Sequence, residues 1–309
     1  MFLFLVLGIV AGGLVPVQTS FNSRLRQDTN EPFLASGISF LVGTIFLNLF
    51  GVITGGAPFL TGHELGLIPW WGYLGGLLAT ICLTANIFMF DVLGSVLAIV
   101  LPMVGQIIFS LLIDSFGWLG TKVIPLSWAR ISGAILVIIG IIFIVVLPTL
   151  HQRGQKQEHH VARMFWTVGG LISGVVYATE LAINGRVGAI VHSPIHAAFL
   201  TFAIATALLF LFVAGRGHIQ RITLLVKQRT PWWALLGGVI GGFSIYLGAF
   251  LVPQIGNGSA IVLGILGQIA VSMLIDTFGL LGGKKRPLTL AQFLGLVIMV
   301  AGVVLIELP

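Results

Sequence analysis

Apolar residues run along this chain in long blocks separated by short polar breaks. Ten blocks stand out, at 2–22, 33–54, 69–90, 95–114, 127–148, 164–185, 195–215, 231–252, 257–276 and 289–308. A helix of about 20 apolar residues spans the hydrocarbon of a bilayer. Only helices and closed barrels satisfy their own backbone in lipid, and blocks this long and this unbroken by polar alternation are helices. The pattern predicts an all-α integral membrane protein with ten transmembrane helices.

The blocks are written twice. Residues 105–120 read GQIIFSLLIDSFGWLG and residues 267–282 read GQIAVSMLIDTFGLLG, identical at 11 of 16 positions with an offset of 162. At the same offset Gly8 meets Gly170, Gly12 meets Gly174, Asn22 meets Asn184, Arg24 meets Arg186, and Pro69-Trp70-Trp71 meets Pro231-Trp232-Trp233. Residues 1–148 and 164–309 are thus two copies of a five-helix unit, joined by a polar linker at 149–163. Five is odd, so the second copy enters the membrane inverted. Inverted repeats are a recurring plan of secondary transporters, whose sites lie near the midplane between the repeats.

Composition agrees: 57% of the residues are hydrophobic, only 8% are charged, and the mean hydropathy is +1.11. A net charge of +6 raises the question of nucleic acid, but the basic residues sit at the breaks. Odd-numbered connections carry 12 of them and even-numbered ones only Lys122, Arg130 and Arg186. This positive-inside bias places the odd connections in the cytoplasm, both termini outside and the protein in the cell membrane, with the lipid bilayer rather than nucleic acid as its surroundings. The apolar N-terminus lacks a basic leader and has a twin in mid-chain, which argues against a signal peptide. Cys82 is the single cysteine, so no internal disulfide forms. His151, His159 and His160 in the linker invite a metal reading, but no Cys or carboxylate cluster completes a site, and a solvated linker is expected there. No metal or cofactor is expected.

Two five-helix halves, LIDSFG and LIDTFG at the end of helix four, and a glycine-rich fifth helix (SGAILVIIGIIFIV) resemble the drug/metabolite transporter superfamily. The openings GGLVPVQTSFNSRLR and SGVVYATELAINGRVG, together with GQ…LID.FG, resemble its YdcZ-like branch in the fused ten-helix form. The resemblance implies a central cavity lined mainly by helices 1, 3 and 4 of each repeat, with helices 2 and 5 outside. It implies no particular substrate, and the habit of the superfamily favours export.

Polar side chains inside a span are costly and tend to face the bundle interior or a pathway. Tyr177, Glu180 and Asn184 form one stripe of a helix, and the twin stripe is Val15, Gln18 and Asn22. Glu180 is the one clear carboxylate well inside a span. It reads as a proton-coupling or cation-recognising group, or alternatively as a protonated acid bonded between helices. Gln106 and Gln268, at twin positions, suit hydrogen bonding to a solute and equally suit interhelical bonding. Asn86, Thr84, Ser244, Tyr246 and Asn257 add polarity that could line the same cavity. The tryptophan pairs fit interfacial anchors, and Pro16 and Pro102 remove mid-span hydrogen bonds.

With no HExxH, no Ser/His/Asp cluster and no phosphate loop, nothing points to an enzyme. The expected function is a secondary active transporter, by preference an exporter, of a small polar or cationic organic solute, with protons as a candidate coupling ion and a monomer or homodimer as the working unit. A lipid or lipid-linked carrier flippase and an accessory membrane subunit are the alternatives. Helix directions suggest one more expectation. Each face receives an arginine from one half and an aspartate from the other, so Arg24–Asp276 and Arg186–Asp114 are candidate gates, against local capping or pairing with Lys122 or Lys284.

Overall fold

The computed structural model describes residues 2–55, 59–146, 160–282, 285 and 288–307, without the side chains of 86–88, 90–97, 146 and 160–164. The helices are α1 (Phe2–Thr29), α2 (Pro32–Ile53), α3 (Gly62–Leu67), α4 (Leu74–Phe116), α5 (Trp128–Ile141, continued by a π turn Ile142–Val146), α6 (His160–Ile190), α7 (Pro194–Gly215), α8 (Thr223–Lys227), α9 (Leu236–Ile255), α10 (Asn257–Phe278) and α11 (Leu290–Glu307). Among the described residues nine stretches are long and apolar enough to cross a membrane, and Trp70–Ala85 is a shorter apolar tenth.

The spans expected at 69–90 and 95–114 fall almost entirely within the single helical element α4, Leu74–Phe116. A straight helix would hold Cys82 and Gly105 about 35 Å apart. Both instead face one short stretch of α6: Cys82 Sγ reaches the Ser173 carbonyl at 3.6 Å, and Gly105 packs on Leu171 and Gly174. Met89 and Leu101 both lie against Gly170. The run therefore doubles back between Met89 and Leu101 and makes two antiparallel spans. The second copy makes its break at Gly256, whose φ of +87° favours glycine, between α9 and α10.

Small residues bring the copies together in twin pairs. Gly12 of α1 meets Gly264 of α10, and its twin Gly174 of α6 meets Pro102 and Gly105 of α4. Gly133 of α5 faces Gly302 of α11, and Gly140 faces Gly295. Backbones this close give dense van der Waals packing, the main attraction between helices in lipid. On the pseudo-twofold axis twin residues touch each other: Thr44 Oγ1 and Thr206 Oγ1 are 3.2 Å apart, and the rings of Phe40 and Phe202 are 4.8 Å apart between centroids. The core lies between the halves, on the facing sides of α4, α5, α6, α9, α10 and α11.

The repeated LID.FG segment has a local meaning. Gly117 (φ +62°) and Gly279 (φ +64°) end α4 and α10 in the left-handed conformation, each returning its N–H to the isoleucine carbonyl four residues back. Several ends differ from expectation. The first span extends to Thr29, so Arg24 and Arg26 lie on α1 itself. The sixth extends to Ile190 and carries Arg186, and it starts at His160, inside the stretch expected to be linker. The histidines at 151 and 159, and the linker lysine and Arg153, lie outside the described residues.

Candidate functional site

A central cavity of about 40 Å³ lies where the two copies meet. It is lined by Gln106 of α4, Tyr177 of α6, Ser244 of α9 and Gln268 of α10, with Gly12 and Val15 of α1 closing one side. Helices one and four of the first copy, and one, three and four of the second, contribute; α2, α5, α7 and α11 do not. Ser244 Oγ donates to the Ala11 carbonyl at 2.7 Å, which ties α9 to α1 at the wall. The twin glutamines thus reach one space.

The stripes of α1 and α6 divide their tasks. Tyr177 reaches the central cavity, whereas Glu180 and Asn184 turn towards α7 and the first span of α4. Glu180 is 4% exposed, and its Oε1 takes the Asn184 amide at 3.5 Å. Asn184 Oδ1 accepts from Thr201 Oγ1, and both atoms pack on Gly75. Among the described residues Glu180 has no ion pair. In the other copy Gln18 and Asn22 pack on Gly241 and Gly237 of α9. Asn22 Oδ1 is buried with no hydrogen-bond partner among the described residues. Tyr246 is not at the centre: it lines a second cavity at one face, described below. The Asn86 side chain lies outside the described residues.

The expected gate pairs do not form in this structure. Arg186 is exposed and lies over Gly120 rather than on Asp114. Asp114, fully buried, pairs with Arg130 of α5 at 3.1 Å and accepts the N–H groups of Asn257 and Gly258 at 2.8 Å each. The reason is geometric. The break at Gly256 aims the first N–H groups of α10, which have no partner inside their own helix, at the end of α4. Arg130 also holds the Ile124 carbonyl at 3.1 Å, so one guanidinium ties the loop after α4 to the carboxylate. On the opposite face Arg24 Nε pairs with Asp28 of its own helix at 3.2 Å, and Asp276 is exposed without an ion pair among the described residues. The charge pattern along the chain places Arg130 with the even-numbered connections and gives it no partner. The signal that could have found it is asymmetry, because its twin is Gln292.

Two more clusters centre on carboxylates outside the apolar blocks, where a search for polarity at membrane depth does not look. On the face that carries the 218–230 loop, Glu31 is 5% exposed and bonds His218 Nδ1 at 2.8 Å, with Arg221 at 3.6 Å and Arg216 at 3.9 Å. On the other face Thr61 and Glu64 form a capping box at the start of α3, and Glu64 Oε1 bonds His196 Nδ1 at 2.8 Å. Burial raises the Glu64 carboxyl, but the Thr61 N–H and hydroxyl and the His196 ring outweigh it and hold the group below the ordinary carboxylate value.

The chain matches the profile of the family described as "Putative inner membrane exporter, YdcZ" twice, over residues 3–143 and 165–305. It is 29% identical over 133 residues to "Inner membrane protein YdcZ" of Escherichia coli (strain K12), a match that covers 43% of this chain and 87% of that relative. A solved structure described as "Crystal structure of protein" superposes with a TM-score of 0.61 at 15% identity, covering 99% of this chain and 96% of that one. That likeness is one of fold alone.

Proposed function

The chain belongs to the YdcZ family of inner-membrane exporters, and on that premise we propose that it is a secondary transporter that moves a small polar or cationic organic solute by alternating access. The observation that carries this reading is the cavity on the interface of the inverted copies, to which twin helices bring Gln106 and Gln268. About 40 Å³ holds a few water molecules and no organic solute. Loading the cavity therefore requires the halves to move apart on one side, which is the step that alternating access supplies. The amides would hydrogen-bond the solute, and Tyr177 would give it a ring to lie against.

Glu180 is the group we assign to coupling. It is a buried acid without a counter-ion among the described residues, held by the Asn184 amide, which is itself bonded to the Thr201 hydroxyl. Glu180→Gln is expected to fold, because Gln18 fills the twin position, and to lose the dependence of flux on a pH gradient. The positive-inside bias assigns the face with the 218–230 loop to the cytoplasm and the face with both termini to the outside.

Reconstitution into liposomes with labelled amines, amino acids and nucleosides, with and without a pH gradient, tests the reading. Flux of at least one solute is expected, with a loss of roughly tenfold or more in a Gln106→Ala/Gln268→Ala double variant, since a lost hydrogen bond to a bound group costs about 1 kcal/mol or more. No flux for any solute under any gradient would contradict it and favour a flippase or an accessory subunit.

A further inference from the structure

We infer that the cavity on the face of the termini is a second solute site, a vestibule that takes an organic cation on Glu64 and an aromatic floor. The cavity has a volume of about 620 Å³, within the range of sites that hold drug-sized molecules. It lies between the end of α2, the start of α3, the α6–α7 turn and the upper part of α9. Glu64, His192, His196 and Thr54 stand around it, and Tyr246 and Phe250 form its floor.

Glu64 is built for the task. Its Oε2 accepts the Thr61 N–H at 2.7 Å and the Thr61 hydroxyl at 2.8 Å, and its Oε1 faces His196 at 2.8 Å. A carboxylate has about four acceptor positions, so the three bonds fix the group and leave one position for a ligand. The side chain is 17% exposed, which leaves it shielded yet reachable from the cavity. Tyr246 belongs to a ring cluster with Phe50 at 5.6 Å and Phe243 at 5.7 Å between centroids. Ring faces attract cations, ammonium groups among them. A fixed carboxylate over an aromatic floor selects a cation with an apolar body and rejects a compact, strongly hydrated ion.

The repeat supplies an internal control. At the offset of 162, Thr54 becomes Arg216, Ser193 becomes Glu31, Glu64 becomes Val226 and His196 becomes Leu34. At the equivalent place on the other face Glu31 is clasped by Arg216, His218 and Arg221. The ancestral template therefore does not dictate the vestibule. The two faces are finished differently: basic side chains gather on Glu31 at one, and Glu64 lines an open cavity at the other.

The inference deepens the transporter reading, on which the vestibule's role as a way station rests, but binding itself can be measured without transport. The test uses the full chain in detergent, with labelled choline and its neutral isostere 3,3-dimethylbutan-1-ol as probes in equilibrium dialysis. Choline should bind more tightly than the isostere. Glu64→Gln should weaken choline by roughly tenfold or more while leaving the isostere unchanged, as expected when a charge-assisted contact is lost. Thr54→Arg, at an exposed position that does not touch the Glu64 clasp, should do the same by importing the twin's charge. Elution as a monodisperse species confirms that each variant is folded. Equal binding of the two probes, no choline binding at millimolar concentration, or unchanged affinity in folded Thr54→Arg would each overturn the vestibule. Choline binding that depends on Glu64 without flux in liposomes would sink the transporter reading and leave the site standing.

Discussion

Asp114 and Asp276 occupy one position of one motif and yet live in different surroundings. Asp114 is buried among Arg130 and two helix-terminal N–H groups, and Asp276 is exposed. Replacing Asp114 by Asn leaves the Arg130 guanidinium buried without its counter-charge, a change that costs about 3–5 kcal/mol. Asp276→Asn removes an exposed charge and should stay within about 0.5 kcal/mol. Thermal unfolding of the two variants in the same detergent checks the contrast; similar losses would refute the buried clasp. At Glu64 the folded carboxyl lies below its ordinary value, so its contribution to the α3 clasp is present above that value and is lost as pH falls through the lower, folded one. Hydrogen exchange in α3 should therefore quicken as the pH falls below the ordinary carboxylate range, after correction for the intrinsic rate, and Glu64→Gln should flatten the effect. A profile unchanged in that variant would show that some other group holds α3.

Helix contacts make a sharper demand than side-chain chemistry. A methyl group added at Gly12 would run into the Gly264 carbonyl across the α1–α10 crossing, whereas one added at Gly264 finds its nearest neighbour, Gly12 Cα, at 4.0 Å. Gly12→Ala should destabilise by about 1–3 kcal/mol through overpacking, and Gly264→Ala should be nearly silent. Gly174→Ala, the twin of the first, should behave like it, because its methyl would meet the Pro102 carbonyl. Melting temperatures of the three variants decide the matter, and a damaging Gly264→Ala would mean that the crossing is placed wrongly. These elements were legible in the chain: the apolar blocks give the spans, and the 162-residue offset gives the inverted copies and the twin glycines. The partners of charged groups were not. Asp114 meets backbone N–H groups 143 and 144 residues away, and Glu64 meets a histidine 132 residues away. Such pairs depend on how helix ends and loops are brought together, which periodicity does not encode. The differences between twins, Arg130 against Gln292 and Glu64 against Val226, were visible in the sequence and marked the places where the copies have specialised.

At the scale of the molecule, two inverted copies close on a small space reached by two glutamines, and their faces are finished differently. One face is held by the Asp114 clasp beside an open vestibule, and the other by the Glu31 clamp. Alternating access, as proposed, requires the centre to open to one side at a time. Ser244 lines the central cavity, so a single cysteine there, Ser244→Cys with Cys82→Ala, reports access to the centre when membrane-impermeant maleimide is applied to oriented vesicles from either side. The account predicts labelling from both sides, with a transported solute or a pH gradient raising the rate from one side as it lowers the rate from the other. Labelling from one side only under every condition, or rates that rise and fall together on both sides, would contradict alternating access by the two halves.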